Sequence, residues 1–199
     1  MHRSGFKDHF SQTAAAYAAH RPVYPPALAD YLAGLVAHRE LAWDAGCGSG
    51  QLSLLLADRF ERVVATDASP EQLARARPHA RVEYRHAPAE ASGLPKAIVD
   101  LAAAAQAAHW FDLTRYYAEV RRVARPGGIV ALATYDRIRA GGDADRVIDR
   151  FYTGVLGTYW PPQRRYVDDR YRSLPFPFDE IAAPELELRA EWTLADVLG

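Results

Sequence analysis

Sulfur is scarce in this chain: Cys47 is the only cysteine and there is one methionine among 199 residues. One cysteine excludes an internal disulfide framework and any metal site built from several cysteines, and it fits a reducing, cytoplasmic setting. The histidines show no metal-ligand spacing either, so no metal is expected. Long apolar runs are missing. No segment approaches the about 18 residues a membrane-crossing helix needs, and Lys7 and Asp8 precede an alanine-rich stretch too weakly apolar for a secretion signal. The expectation is a soluble, untargeted protein without a membrane partner. An excess of one charge is absent as well: 24 Lys and Arg against 25 Asp and Glu leave a net charge of −1. Overall attraction to a phosphate backbone is therefore not implied, which argues against nucleic acid.

What the chain does have is a dense glycine loop, Trp43-Asp44-Ala45-Gly46-Cys47-Gly48-Ser49-Gly50-Gln51, followed by the helix-like run Leu52 to Ala57. Glycines at alternate positions let the backbone turn sharply and let a ligand press against it. N–H groups at the first turn of the following helix would face that ligand, with Asp44 adding an acceptor at the end of the preceding strand. Cys47 reads as a small residue filling a tight turn rather than as a nucleophile, since no histidine partner is visible beside it.

Around the loop, strands and helices alternate. Phe6 to His20 has helical spacing and breaks at Arg21-Pro22, and Pro26 can open a second helix carrying Leu28, Tyr31, Leu32 and Leu35 on one face. Arg62 to Asp67 suits a buried parallel strand, ending on an acid seventeen positions after Gly50. Ser69-Pro70-Glu71-Gln72 is a strong helix start. Arg81 to Arg85 and Ala97 to Ala104 read as the third and fourth strands, the latter against the helix preference of its alanines. Asp112 caps a helix bearing Tyr116, Tyr117, Val120 and Val123, and Arg125-Pro126-Gly127-Gly128 turns it into a fifth strand, Ile129 to Tyr135. Further on, a helix is expected around Val147 to Val155, an irregular cover from Tyr159 to Phe178, a short strand over Glu185 to Arg189, and the opening turns of a helix from Thr193. Five alternating strands argue for a parallel α/β sheet, whose ligands bind outside the carboxyl ends of the strands.

The dinucleotide fingerprint is G-x-G-x-x-G with a later acid; here Gly46, Gly48 and Gly50 make it one residue short. With Asp67 after the second strand, this form resembles class I S-adenosylmethionine-dependent methyltransferases. Phe10, Tyr17, Arg21-Pro22, Tyr24-Pro25, the DAGCGSGQ block, Thr66-Asp67-Ala68-Ser69, Gln106-Ala107-Ala108-His109-Trp110-Phe111-Asp112 and Arg125-Pro126-Gly127-Gly128 are similar to the branch of trans-aconitate methyltransferase-like proteins.

The resemblance implies a Rossmann-like, doubly wound, mostly parallel sheet with helices on both faces. It also implies an antiparallel C-terminal hairpin, which nothing after Arg189 supplies, so a bare edge on the fifth strand is expected, in a monomer or a homodimer. One domain is implied over residues 1–199: a helical lid at 1–40, a cofactor-binding core at 41–135, and a substrate cover with an incomplete C-terminal part at 136–199. S-adenosylmethionine would be the cofactor and S-adenosylhomocysteine the product. Asp44, Gly46, Cys47, Gly48 and Gly50 would hold the methionine part and Asp67 both ribose hydroxyls. Ala68 would lie beside the adenine, with Ala89 and Glu90 near its polar edge. Gln106 would face the sulfonium, and Tyr17 and Arg21 would be lid contacts. The expected reaction is methyl transfer to a small-molecule acceptor, first of all a carboxylate oxygen. His109 is the nearest base for an acceptor that needs one.

Two other readings remain at this point, a nicotinamide-dependent oxidoreductase and a non-catalytic S-adenosylmethionine-binding module. Trp110 and Phe111 read as core or pocket wall. Arg121, Arg122 and Arg125 read as a solvated helix face, and Arg164, Arg165, Arg170 and Arg172 as cover residues suited to an acidic substrate.

Overall fold

The structure is a computed structural model that describes residues 23–193. The expected helix at Phe6 to His20, the lid contacts Tyr17 and Arg21, and residues 194–199 lie outside the described residues.

Helix α1 (Pro26–Leu35) starts on a proline whose missing N–H costs nothing at a helix's first position. Then come β1 (Leu41–Ala45), α2 (Gln51–Ala57), β2 (Arg62–Asp67), the single turn α3 (Pro70–Leu73) and β3 (Val82–His86). The second half holds β4 (Val99–Ala105), a 3-10 turn at Ala108–Trp110, α4 (Leu113–Val123) and β5 (Ala124–Ala133). The strands form one all-parallel sheet in the order β3-β2-β1-β4-β5. The expected doubly wound α/β fold is present.

Alternation along β1 explains the two cores. Leu41, Trp43 and Ala45 point to one face, where Tyr116, Tyr117, Val120 and Val123 of α4 cover them. Ala42 points to the other, with Leu32 of α1, Leu52 and Leu56 of α2, and Phe60. Helices thus bury both faces, as a parallel sheet requires. The alanines of β4 are a strand because that segment lies between β1 and β5 with both faces covered. Sheet pairing and close helix packing outweigh their helix preference.

Two boundaries differ from expectation. β5 begins at Ala124 rather than Ile129, and the Arg125 to Gly128 stretch survives as a register shift: Val99 pairs Ala124 while Leu101 already pairs Ile129. The strand expected at Glu185 to Arg189 is irregular chain. Leu186 and Leu188 line a cavity of about 800 Å³ that runs along β5, so the segment is held off the strand and has no ladder to join.

After β5 come α5 (Gly142–Arg150), a wider π turn at Phe151–Val155, and the short α6 (Arg164–Asp168). Residues 171–178 then fold back over α4. The Tyr117 hydroxyl donates to Pro175 O at 2.7 Å, Arg121 donates to Pro177 O at 3.0 Å, and Phe176 and Phe178 flank the Tyr117 ring. The stretch expected to be irregular from Tyr159 to Phe178 thus contains a short helix, and α4 fastens its last part.

Candidate active site

Strand order reverses between β1 and β4, so the crevice outside their carboxyl ends is the natural ligand position. The loop after β1 is the glycine loop, and the loop after β4 carries Gln106 to Trp110. Gly46 shows why this approach is so close. A Cβ there would stand 2.7 Å from the Ala107 Cβ and 3.0 Å from the Phe111 ring, and φ is +66°. Any other residue would push the two loops apart.

Gly46 and Cys47 donate to Thr66 O at 2.8 and 3.0 Å, Gly50 donates to Cys47 O at 2.9 Å, and Gly48 donates to Asp67 Oδ2 at 2.8 Å. The loop's own N–H groups therefore set its shape, which leaves the first turn of α2, without partners inside the helix, to face a ligand. Space remains in front of Gly48, where a Cβ would meet only Gln72 Oε1, at 3.9 Å. At the start of α2, Gln51 Oε1 is buried with no hydrogen-bond partner among the described residues. An open cradle beside an unsatisfied acceptor suits a polar ligand.

Asp44 is 1% exposed, and its Oδ2 accepts from Ser53 Oγ at 2.6 Å. Burial raises its carboxyl to about 7, with the Ser53 bond pulling the other way and the Asp67 charge adding to the rise. Each Asp67 oxygen accepts one backbone N–H, Oδ2 from Gly48 and Oδ1 from Ser69, both at 2.8 Å. Burial pushes this carboxyl up while those N–H groups draw it down. A carboxylate offers about four lone-pair sites, so two stay available for a diol. Cys47 is a poor nucleophile, because burial and then the charges of Asp44 and Asp67 drive its thiol far up.

Ala68 O meets His86 Nε2 at 3.1 Å, next to Asp67. Ala89 is buried, and Glu90 Oε1 accepts from Asp112 N at 2.8 Å, tying its loop to the start of α4. Gln106 has φ +54°; its Nε2 donates to Tyr135 O at 2.8 Å and its Oε1 accepts from Thr134 Oγ1 at 3.2 Å. His109 Nδ1 lies 2.7 Å from the Tyr171 hydroxyl. Phe111 packs against Tyr116 with the rings tilted by 55° and walls the glycine loop.

Arg122 and Arg125 are structural rather than a free solvated face. Arg122 pairs with the buried Glu119, which also accepts from Ser92 N and Oγ, and Arg125 bridges Asp100 at 3.0 Å and Glu40 at 2.5 Å. Arg164 lies over Tyr152 and Trp160, whereas Arg170 and Arg172 line the cavity beside β5. Tyr171 and Thr134 carried no sequence signal, the one inside an irregular stretch and the other at a strand's end. Among the described residues no cluster of three His, Cys, Asp or Glu could hold a metal, and no helix is long and apolar enough to cross a membrane.

An acid after β2, a glycine loop after β1 and a crevice at the strand-order switch define a protein that binds a nucleoside-containing cofactor. Residues 43–132 match a family described as a methyltransferase domain. A methyltransferase of Dictyostelium discoideum is 34% identical over 98% of this chain and 75% of its own length. A solved structure described as a type II methyltransferase from Anaeromyxobacter dehalogenans is 52% identical, with a TM-score of 0.83 over 89% of this chain and 76% of that one. A malonyl-[acyl-carrier protein] O-methyltransferase of Pectobacterium atrosepticum is 40% identical over 52% of this chain and 42% of its own length. The chain belongs to the class I S-adenosylmethionine-dependent methyltransferases. It is a transferase whose cofactor is S-adenosylmethionine, and the nicotinamide and non-catalytic readings fall away.

Proposed function

We propose that this chain moves the methyl group of S-adenosylmethionine to the carboxylate oxygen of a small-molecule acceptor. The observation that carries the cofactor side is the Asp67 carboxylate, fixed by Gly48 N and Ser69 N with acceptor capacity left for a ribose diol. In this reading Asp44 and Gly46 to Gly50 hold the methionine part, Ala68, Ala89 and Glu90 lie around the adenine, and Gln106 borders the sulfonium. Tyr17 and Arg21 belong to a lid. The Pectobacterium relative, an O-methyltransferase, supports oxygen as the accepting atom.

When bound, the sulfonium supplies an activated methyl group and leaves as a neutral thioether. The chain's task is alignment: holding acceptor and donor in line and keeping water out contributes up to roughly 7–11 kcal/mol in favourable cases. A carboxylate arrives with its nucleophilic lone pair exposed and no proton to lose. His109, on the acceptor side of the rim, then serves as a contact to that oxygen; for an alcohol, an amine or a carbon acid it would be the base.

Calorimetric titration with S-adenosylhomocysteine and with NADH is the first test, with binding expected only for the former. Transfer of labelled methyl from S-adenosylmethionine across small carboxylic acids, phenols and amines follows. Product esters from the acids are expected, and products from the amines alone would sink the acceptor assignment.

A further inference from the structure

Where the loop after β4 meets the returning chain after α6, one polar cluster stands out. Gln106, Arg170 and Tyr171 have φ of +54°, +57° and +62°, three of the four non-glycine residues with positive φ among those described. Such conformations are strained for residues with a Cβ and persist only where the surroundings hold them. Here the Tyr171 hydroxyl lies 2.7 Å from Nδ1 of His109, in the middle of the 3-10 turn.

A phenol has one proton to give and two lone pairs to receive with. Burial makes the Tyr171 hydroxyl harder to ionise, with the backbone N–H of His109, the Thr134 side chain and the backbone N–H of Ala108 pulling the other way. The two backbone N–H groups can only donate, so they offer no acceptor for its proton. Thr134 also reaches Gln106 Oε1. That leaves the Thr134 oxygen and His109 Nδ1 as acceptors for the phenol proton, and the imidazole nitrogen, 2.7 Å away, is much the more basic of the two.

We propose that Tyr171 is a positioning residue: it donates to His109 Nδ1 and so holds the neutral imidazole with its proton on Nε2. An imidazole in that state is a donor at Nε2 and has no lone pair left to act as a base. It suits an acceptor that is already anionic, and it rests on the carboxylate reading given above. His109 orients the acceptor oxygen, while an acceptor needing deprotonation would find no base there.

Histidine ring 15N spectra of the 199-residue chain, saturated with S-adenosylhomocysteine and recorded at about pH 8, above the ordinary imidazole range, test this. Wild type is expected to show His109 with Nε2 protonated and Nδ1 bare. Tyr171→Phe is expected to lose that bias and give a mixture of tautomers, with S-adenosylhomocysteine affinity within about twofold of wild type as evidence of an intact fold. A wild-type signal with Nδ1 protonated, or a pattern unchanged in Tyr171→Phe, overturns the inference. Failure of both proteins to bind S-adenosylhomocysteine would instead count against the cofactor reading, whatever the tautomer.

Discussion

Asp44 sits at the edge of the ligand loop with almost no water around it. Its carboxyl keeps a proton in the folded chain up to about pH 7, whereas in the unfolded chain it ionises near pH 4. The folded state therefore binds the extra proton across that window, and this group's contribution to stability falls as pH rises from about 4 to about 7. Asp44→Asn keeps an acceptor for Ser53 and removes the titration. Urea unfolding at several pH values should show a flatter profile for the variant than for wild type, the difference building to a few kcal/mol, at about 1.4 kcal/mol per pH unit. Parallel profiles would mean that Asp44 ionises freely. For Asp67, loss of the carboxylate in Asp67→Ala should weaken S-adenosylhomocysteine binding by about 1.5–3 kcal/mol, the range for hydrogen bonds to a charged group. Unchanged affinity by calorimetry would reassign that residue. Asp67 was legible in the sequence only in context, as the acid closing an apolar run seventeen positions after the glycine loop; Tyr171 was not, because its role depends on a left-handed backbone that no periodicity announces.

At the scale of elements, helix starts were the most readable features. Ser69 Oγ accepts from Gln72 N and Asp112 Oδ1 from Arg115 N, both at 3.2 Å, as their sequence positions indicate. These are local bonds, decided within four residues. The pin between the loop at Ser92 and α4 is different in kind. Glu119 lies 27 positions from Ser92 and accepts from both its N–H and its hydroxyl, with Arg122 alongside. Glu119→Ala should cost about 2–3 kcal/mol, since it strands buried donors, while the ligand loop of β1 stays in place. Thermal or chemical unfolding measures the loss, and a cost under about 0.5 kcal/mol would show that the pair is only a surface feature. β4 makes the same point about packing: Ala103, 1% exposed beneath the covering helices, should tolerate leucine badly, with overpacking costing about 1–3 kcal/mol.

For the whole molecule, the outer edge of β5 sets solution behaviour. Among the described residues no strand pairs with it, and Ile129 to Ala133 present apolar side chains without a charge or proline to discourage a partner. The cavity of about 800 Å³ beside the strand leaves room for one. The 199-residue chain should therefore associate with itself as its concentration rises, and static light scattering should report a mass above that of one chain. A monomer that stays constant in mass across concentration and remains active would show that this edge is shielded.

Periodicity, capping residues and the glycine spacing determined by themselves that five strands alternate with helices, that a glycine loop follows β1, and that Asp67 closes β2. Those features are local, each written in a window of a few residues with a direct backbone consequence. Tertiary structure alone decided that the alanine strand β4 lies between β1 and β5, that Arg122 and Arg125 hold loops together, and that Glu185 to Arg189 joins no sheet. It also decided that Tyr171 of the cover meets His109 of the rim, 62 positions earlier in the chain. The physical reason is common to all four: each depends on a neighbour supplied by distant chain, and burial, pairing and proton placement are properties of that neighbour as much as of the residue itself.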